Sequence, residues 1–162
     1  MWLVIKIFNL LPSAIRKRLY VGIGLVWRAM TLGVRILVRD EQGRILLVRH
    51  TYVSGWYLPG GGVERGETIQ QAAQKELMEE CGVEADEPPA LFHLYRNPST
   101  SRFDHVALFV CSKWHQSHVK TPDHEIAEIG FFDYDDLPEG TTRQTKDRLA
   151  EILRDQPISD IW

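Results

Sequence analysis

The 162-residue chain, 44% hydrophobic and 25% charged, has the length and make-up of one globular domain. A domain of about 150 residues buries roughly 68–70% of its unfolded surface, so it needs no disulfides or structural metal to fold. The formal net charge of −3 is unevenly spread: Met1 to Arg39 holds seven Lys/Arg and no Asp/Glu, leaving 12 basic against 22 acidic side chains, or −10, on the rest. That excess of acid argues against a general nucleic-acid-binding surface and suits a protein that concentrates cations.

Residues 1–30 read as a separate segment ahead of a main domain over 31–162. They combine an apolar start (Trp2 to Leu11), a basic cluster (Arg16, Lys17, Arg18) and a second apolar run from Leu19 to Trp27. Neither run reaches the roughly 20 residues that cross a membrane, and Lys6 and the basic trio break the pattern of a signal peptide. From Ser13, a candidate N-cap, Ile15, Leu19, Ile23, Val26 and Met30 fall near one helical face. Such a helix packs on the domain or a second subunit, making a homodimer, or lies on a membrane surface.

Two strand-like runs follow, Gly33 to Arg39 and Arg44 to His50, with Asp40-Glu41-Gln42-Gly43 supplying the turn chemistry of a hairpin. A glycine-rich loop runs from Thr51 to Glu67. Helix begins at Thr68, which has capping-box spacing to Gln71, and stops at Gly82. Further strands are expected over Leu91 to Tyr95, Phe103 to Cys111 and Ile129 to Phe132, with a last helix from Arg143 to Arg154. The elements mix without a repeated βαβ unit, which fits an α+β or α/β sandwich better than a doubly wound sheet. Cys81 and Cys111 have no CxxC or Cys/His partner, so reduced thiols and a cytoplasmic setting are expected, with peripheral membrane contact through residues 1–30 as the variant.

The chemistry concentrates on the helix from Thr68. At about 100° per residue, Glu76, Glu79 and Glu80 fall within an arc of roughly 100°, and the apolar stripe of Ile69, Ala73 and Leu77 overlaps its Glu80 edge. Crowded carboxylates beside a packed face repel one another, and Lys75 alone does not balance three of them. Hard oxygen donors with room for water and phosphate are what Mg²⁺ or Mn²⁺ prefers. Gly60, Gly61, Gly62 and Gly66 let the preceding backbone come close enough for a main-chain carbonyl to join the donors.

The stretch from Gly61 to Val83, GGVERGETIQQAAQKELMEECGV, resembles the signature of the Nudix hydrolase family. Gly61, Glu67, Glu76, Leu77, Glu79, Glu80, Gly82 and Val83 stand at the family's spacings. Lys75 departs from it, standing where the family usually has arginine, which keeps the charge but loses the planar fork. The Trp56-x-Leu58-Pro59-Gly60-Gly61 lead-in and Glu125-Ile126-Ala127-Glu128 are also family-like. The resemblance implies an α/β/α sandwich around a mixed sheet. It implies Mg²⁺-dependent hydrolysis of a diphosphate linkage in a small nucleotide derivative, with Mn²⁺ as a substitute. The alternative is a Nudix-fold binding module without turnover, although such modules usually lose a motif glutamate.

By motif position the resemblance makes Glu76, Glu79, Glu80 and the Gly60 carbonyl the metal ligands, with Glu67, Gly61 and Lys75 in support. Glu79, Glu80 and Glu125 are the catalytic candidates, Glu125 as a later-loop general base with Glu128 as its alternate. Arg96 and Arg102, flanking a Ser/Thr-rich loop, are candidate phosphate contacts. Tyr52, Trp56 and Tyr57 are candidates to stack on a base, Trp56 equally a packing residue. His50, His93 and His105 read as core or surface histidines rather than ligands.

Overall fold

The computed structural model describes residues 29–162 continuously and, before them, residues 12, 13, 15, 17, 18, 21, 22 and 24. Met1–Met30 and Thr31–Trp162 are separate compact units. In the first, Ser13, Ile15, Lys17, Arg18, Val21, Gly22 and Gly24 are helical. Leu19, Ile23 and Val26 of the expected apolar face, and the apolar start of the chain, lie outside the described residues. Among the described residues no helix is long and apolar enough to cross a membrane.

The second unit carries seven strands, two α-helices and a one-turn 3₁₀ helix at Tyr134–Asp136. The strands and α-helices are β1 (Thr31–Val38), β2 (Ile45–His50), α1 (Ile69–Cys81), β3 (Val83–Ala85), β4 (Ala90–Arg96), β5 (Asp104–Cys111), β6 (Trp114–Gln116), β7 (Ile126–Phe132) and α2 (Arg143–Leu153). Strand β1 runs parallel to β5, which pairs antiparallel with β4; β2 pairs antiparallel with β7, and β3 with β6.

Alternation along the strands builds two cores. On one face Val34, Ile36 and Val38 of β1, Leu46 and Val48 of β2, and Ala107, Phe109 and Cys111 of β5 pack with Ala72, Ala73, Leu77 and Cys81 of α1. The intervening residues Leu37, Ile45, Leu47 and Leu108 pack on the other side with Trp56, Leu58, Tyr95 and Leu149 of α2. Helix on sheet on helix follows from a period of two in the central strands. Each fully buried Leu, Ile or Phe contributes roughly 1.5–3 kcal/mol by leaving water, so both cores are needed to offset chain entropy.

One expectation is corrected here. The turn at Asp40–Arg44 forms as read, closed by the Asp40 carboxylate accepting from the main-chain nitrogens of Gln42 and Arg44. The strands it joins do not pair as a hairpin beyond a single bridge at Arg39 and Ile45. The loop after β2 takes their place. Tyr57 exchanges both main-chain hydrogen bonds with Val48 of β2, whereas the carbonyls of Pro59 and Gly61 accept from Ile36 and Val34 of β1. The segment Tyr57–Val63 therefore wedges between β1 and β2, and this wedge sets the position of the glycines.

Candidate active site

Local sequence fixes where α1 starts and stops. The Thr68 hydroxyl accepts from the Gln71 nitrogen at 3.1 Å and the Gln71 side chain accepts from the Thr68 nitrogen at 2.9 Å, the reciprocal cap expected. Gly82 ends the helix in the left-handed region at φ 63°, where its nitrogen bonds to the Met78 carbonyl. Between these ends Glu79 is exposed, Glu76 is half-buried and Glu80 is only 3% exposed.

The wedge loop meets those carboxylates. Gly60 has φ +140°, and a Cβ there would stand 2.1 Å from the Val34 carbonyl oxygen, so only glycine fits. Its nitrogen donates to Oε2 of Glu80 at 2.7 Å. A Cβ on Gly61 would stand 2.5 Å from Oε1 of Glu76. The carbonyls on either side, of Pro59 and Gly61, are tied to β1. Among the described residues no hydrogen bond is made to the Gly60 carbonyl.

Burial pushes the Glu80 carboxyl up to about 7, against the lowering effect of the Gly60 N–H and of Arg35. Burial also raises Glu76, with Lys75 opposing it. Arg35 reaches the site from β1, its guanidinium donating to the Leu58 carbonyl at 2.8 Å and lying 5.7 Å from the Tyr57 ring centre. At the end of β2, Nε2 of His50 stands 3.6 Å from Oε1 of Glu80. Glu125 comes from the loop before β7, which is held by the Asp123 carboxylate accepting from the nitrogens of Glu125 and Ile126 and by Thr51 donating to the Glu125 carbonyl. One ligand atom each from His50, Glu80 and Glu125 lies within 4.8 Å of the others.

This donor set fits a hard divalent cation. Two desolvated carboxylates whose charge is disfavoured, an exposed third, a later-loop glutamate and an unengaged carbonyl are oxygen donors short of a positive partner. Arg35 is the cation the chain itself places there, and its fork is taken up in part by Leu58.

The other sequence candidates divide. Lys75 bridges Glu64 at 3.3 Å and Glu67 at 3.2 Å, and Glu67 also accepts from the Glu64 nitrogen, so this pair braces the loop ahead of α1. Tyr52 is 71% exposed, with its ring 5.1 Å from that of His50. Trp56 is buried edge-on to Phe132 in the core beneath α2. Glu128 is paired with Arg49 at 2.7 Å on the surface. His93 lies on β4 beside Asp160, and His105 lies on β5.

A cavity of about 470 Å³ adjoins the wedge, lined among others by Arg35, Tyr57, Gly61, Asn97, Asp104 and Trp162. Arg96 and Arg102 do not line it. The Arg96 backbone pairs with Asp160 and Trp162, and the Arg102 guanidinium stacks 4.5 Å from the Phe103 ring. Sequence reasoning thus passed over Arg35, Asn97 and Asp104, and read His50 as a core or surface histidine. A strand arginine flanked by buried Val34 and Ile36 was a detectable signal, because an isolated charge in such a run needs a partner.

Comparisons agree with this architecture. The sequence profile of the family described as NUDIX domain matches residues 30–155. The chain is 39% identical over 71 residues to the 8-oxo-dGDP phosphatase NUDT18 of Homo sapiens, covering 42% of this chain and 22% of that protein. It is 40% identical over 50 residues to an RNA pyrophosphohydrolase of Edwardsiella ictaluri, covering 31% and 28%. The chain therefore spans less than a third of the length of either curated relative. A MutT NUDIX hydrolase from Burkholderia pseudomallei superposes with a TM-score of 0.64 at 24% identity, over 75% of this chain and 97% of that one. The MutT protein from Methanosarcina mazei Go1 gives 0.66 at 22% identity, over 78% and 94%. With the profile spanning most of the chain, and Glu76 and Glu80 of the motif meeting Gly61 and Gly60 in an α/β/α sandwich, this chain belongs to the Nudix family.

Proposed function

We propose that this chain hydrolyses a diphosphate linkage in a small nucleotide derivative. The observation that carries this is the meeting of the buried Glu80, raised toward neutrality, with the Gly60 backbone and Glu125, next to a nucleotide-sized cavity that Arg35 and Gly61 line. Glu76, Glu79, Glu80 and the Gly60 carbonyl would hold Mg²⁺, or Mn²⁺ in its place. A divalent cation there acidifies water and neutralises charge on phosphate oxygens.

The chain's own groups do the rest. Glu125, exposed on a pinned loop, takes the proton of the attacking water, Glu79 standing as the alternate base. The water oxygen bonds to phosphorus as the bridging P–O bond breaks, and the departing phosphate leaves with the electron pair. Arg35 donates hydrogen bonds to the phosphate oxygens as charge builds on them. The cavity beside Tyr57 accepts the nucleoside, and Lys75 with Glu67 keeps the loop ahead of α1 in place. Residues 1–30, apolar and basic, serve self-association or contact with an anionic membrane surface.

The test is an incubation with Mg²⁺ and a panel of nucleoside triphosphates, ADP-ribose, sugar nucleotides and dinucleoside polyphosphates, with phosphate and monophosphate products resolved. An RNA carrying a terminal diphosphate linkage belongs in the panel because a relative is named an RNA pyrophosphohydrolase. Cation-dependent cleavage of at least one small member is expected. Binding without turnover across the panel would replace hydrolysis with a binding role.

A further inference from the structure

We infer that His50 is a nitrogen ligand of the divalent cation, so that this site favours Mn²⁺ or another ion that accepts imidazole over Mg²⁺. The inference rests on the metal-site reading above and adds a donor of a different kind to it.

The ring of His50 is 5% exposed at the end of β2, and its Nδ1 is buried with no hydrogen-bond partner. Its Nε2 stands 3.6 Å from Oε1 of Glu80, wider than a hydrogen bond, although both side chains are almost completely buried. A histidine kept for packing would normally satisfy one nitrogen in such a place. Here Nδ1 has no partner, Nε2 meets only the Glu80 carboxylate at 3.6 Å, and an oxygen of Glu125 lies within 4.8 Å.

The spacing supports a shared ion. Ligand atoms around a cation with bonds of about 2.1 Å lie about 3 to 4.2 Å apart. Nε2 of His50 and Oε1 of Glu80, 3.6 Å apart, fall inside that range, and Glu125 offers an oxygen within 4.8 Å of a ligand atom of each, near enough to reach water on the ion. Tyr52 lies against the His50 ring at 5.1 Å and Tyr57 at 5.8 Å, which limits how far that ring can swing away. Oxygen-only sets suit Mg²⁺, whereas a mixed nitrogen and oxygen set shifts preference toward divalent ions of the first transition row, Mn²⁺ among them, which accept imidazole more readily than Mg²⁺.

The experiment is electron spin-echo spectroscopy of Mn²⁺ bound to the full chain, with ¹⁴N-histidine and ¹⁵N-histidine samples compared, alongside calorimetric titration of Mn²⁺ and Mg²⁺. A directly coordinated imidazole imposes an echo modulation that changes on ¹⁵N labelling. That modulation is expected in the wild type and absent in His50→Gln, with Mn²⁺ affinity falling roughly 10-fold or more and Mg²⁺ affinity changing much less. Mn²⁺ that binds in a Glu80-dependent way without nitrogen modulation in the wild type would overturn the role of His50 and leave the metal site standing. No Mn²⁺ binding at all would remove both. An absent modulation in the wild type overturns the proposal even if His50→Gln fails to fold, and a modulation that is lost in His124→Gln, the histidine next to Glu125, overturns the assignment to His50.

Discussion

The main-chain nitrogen of Gly60 donates a 2.7 Å hydrogen bond to the carboxylate of Glu80, which lies 20 residues further along the chain. It couples the wedge loop to the helix that carries the glutamates. It also explains why two adjacent glycines have different jobs. Gly60 is held at φ +140° against the Val34 carbonyl, so its constraint lies in the fold; Gly61 leaves room for the tip of Glu76, so its constraint lies in the site.

Substituting these two glycines should therefore separate stability from function. Gly60→Ala strains the backbone and collides with β1, and a loss of about 3 kcal/mol or more is expected in chemical denaturation. Gly61→Ala meets only the movable end of Glu76, and should unfold within about 1 kcal/mol of wild type while cation binding weakens. Equal destabilisation by both would show that Gly61 is a structural residue.

The Glu80 carboxyl sets a direction for pH dependence. Its folded value of about 7 lies above the ordinary 4.5. The raised value contributes stability that is complete below the ordinary value and is lost as pH rises through about 7. Without divalent cation the protein should lose about 1 kcal/mol between about pH 6.5 and 8.5, or a few degrees in Tm. His50, lowered by burial, acts the opposite way around its ordinary 6.5, so it offsets part of this loss at the lower end of the window. Saturating Mg²⁺ or Mn²⁺ should remove the loss, because the cation binds the ionised form; thermal melts at the two pH values with and without metal check both parts.

Arginine substitutions should discriminate between the cavity and the surface. Arg35→Met removes the cation facing the carboxylates and the cavity, and should raise KM by about 10-fold or more through lost charge-assisted hydrogen bonds of about 1.5–3 kcal/mol. Arg96→Ala and Arg102→Ala, outside the cavity lining, should change KM less than threefold. Steady-state kinetics on the best panel substrate reads all three. A strong effect at Arg96 or Arg102 would move the phosphate contacts to the Pro98–Ser101 loop.

What could be read from sequence was what local chemistry decides. The Thr68–Gln71 cap and the Gly82 stop depend on residues a turn apart, and α1 begins and ends where they place it. The burial of Glu80 also followed from helix angles, because its side of the acidic arc overlaps the apolar stripe. Strand partners were another matter. The Asp40–Gly43 turn predicts a hairpin, but Tyr57–Val63 enters between β1 and β2, and β1 finds its parallel partner in β5, more than 70 residues away. Strands β3 and β6, three residues each, are too short for any periodicity to show. Arg35 and His50 were hidden for the same reason: alternation tells which face a strand residue takes, not which distant loop meets it there. Arg96 and Arg102 looked suited to phosphate by composition, and the fold turns toward the cavity instead Asn97, Ser99 and Thr100 between them.

Turnover of the best panel substrate, titrated with Mg²⁺ in wild type, Glu80→Gln and Glu128→Gln, tests the central claim most directly. The two substitutions make the same chemical change, one at the buried carboxylate bonded to Gly60 and one at a surface carboxylate paired with Arg49. Activity should require the cation, fall about 100-fold or more in Glu80→Gln with the fold intact, and stay within about twofold of wild type in Glu128→Gln. Full activity in Glu80→Gln, or turnover in wild type that ignores divalent cation, would contradict the account.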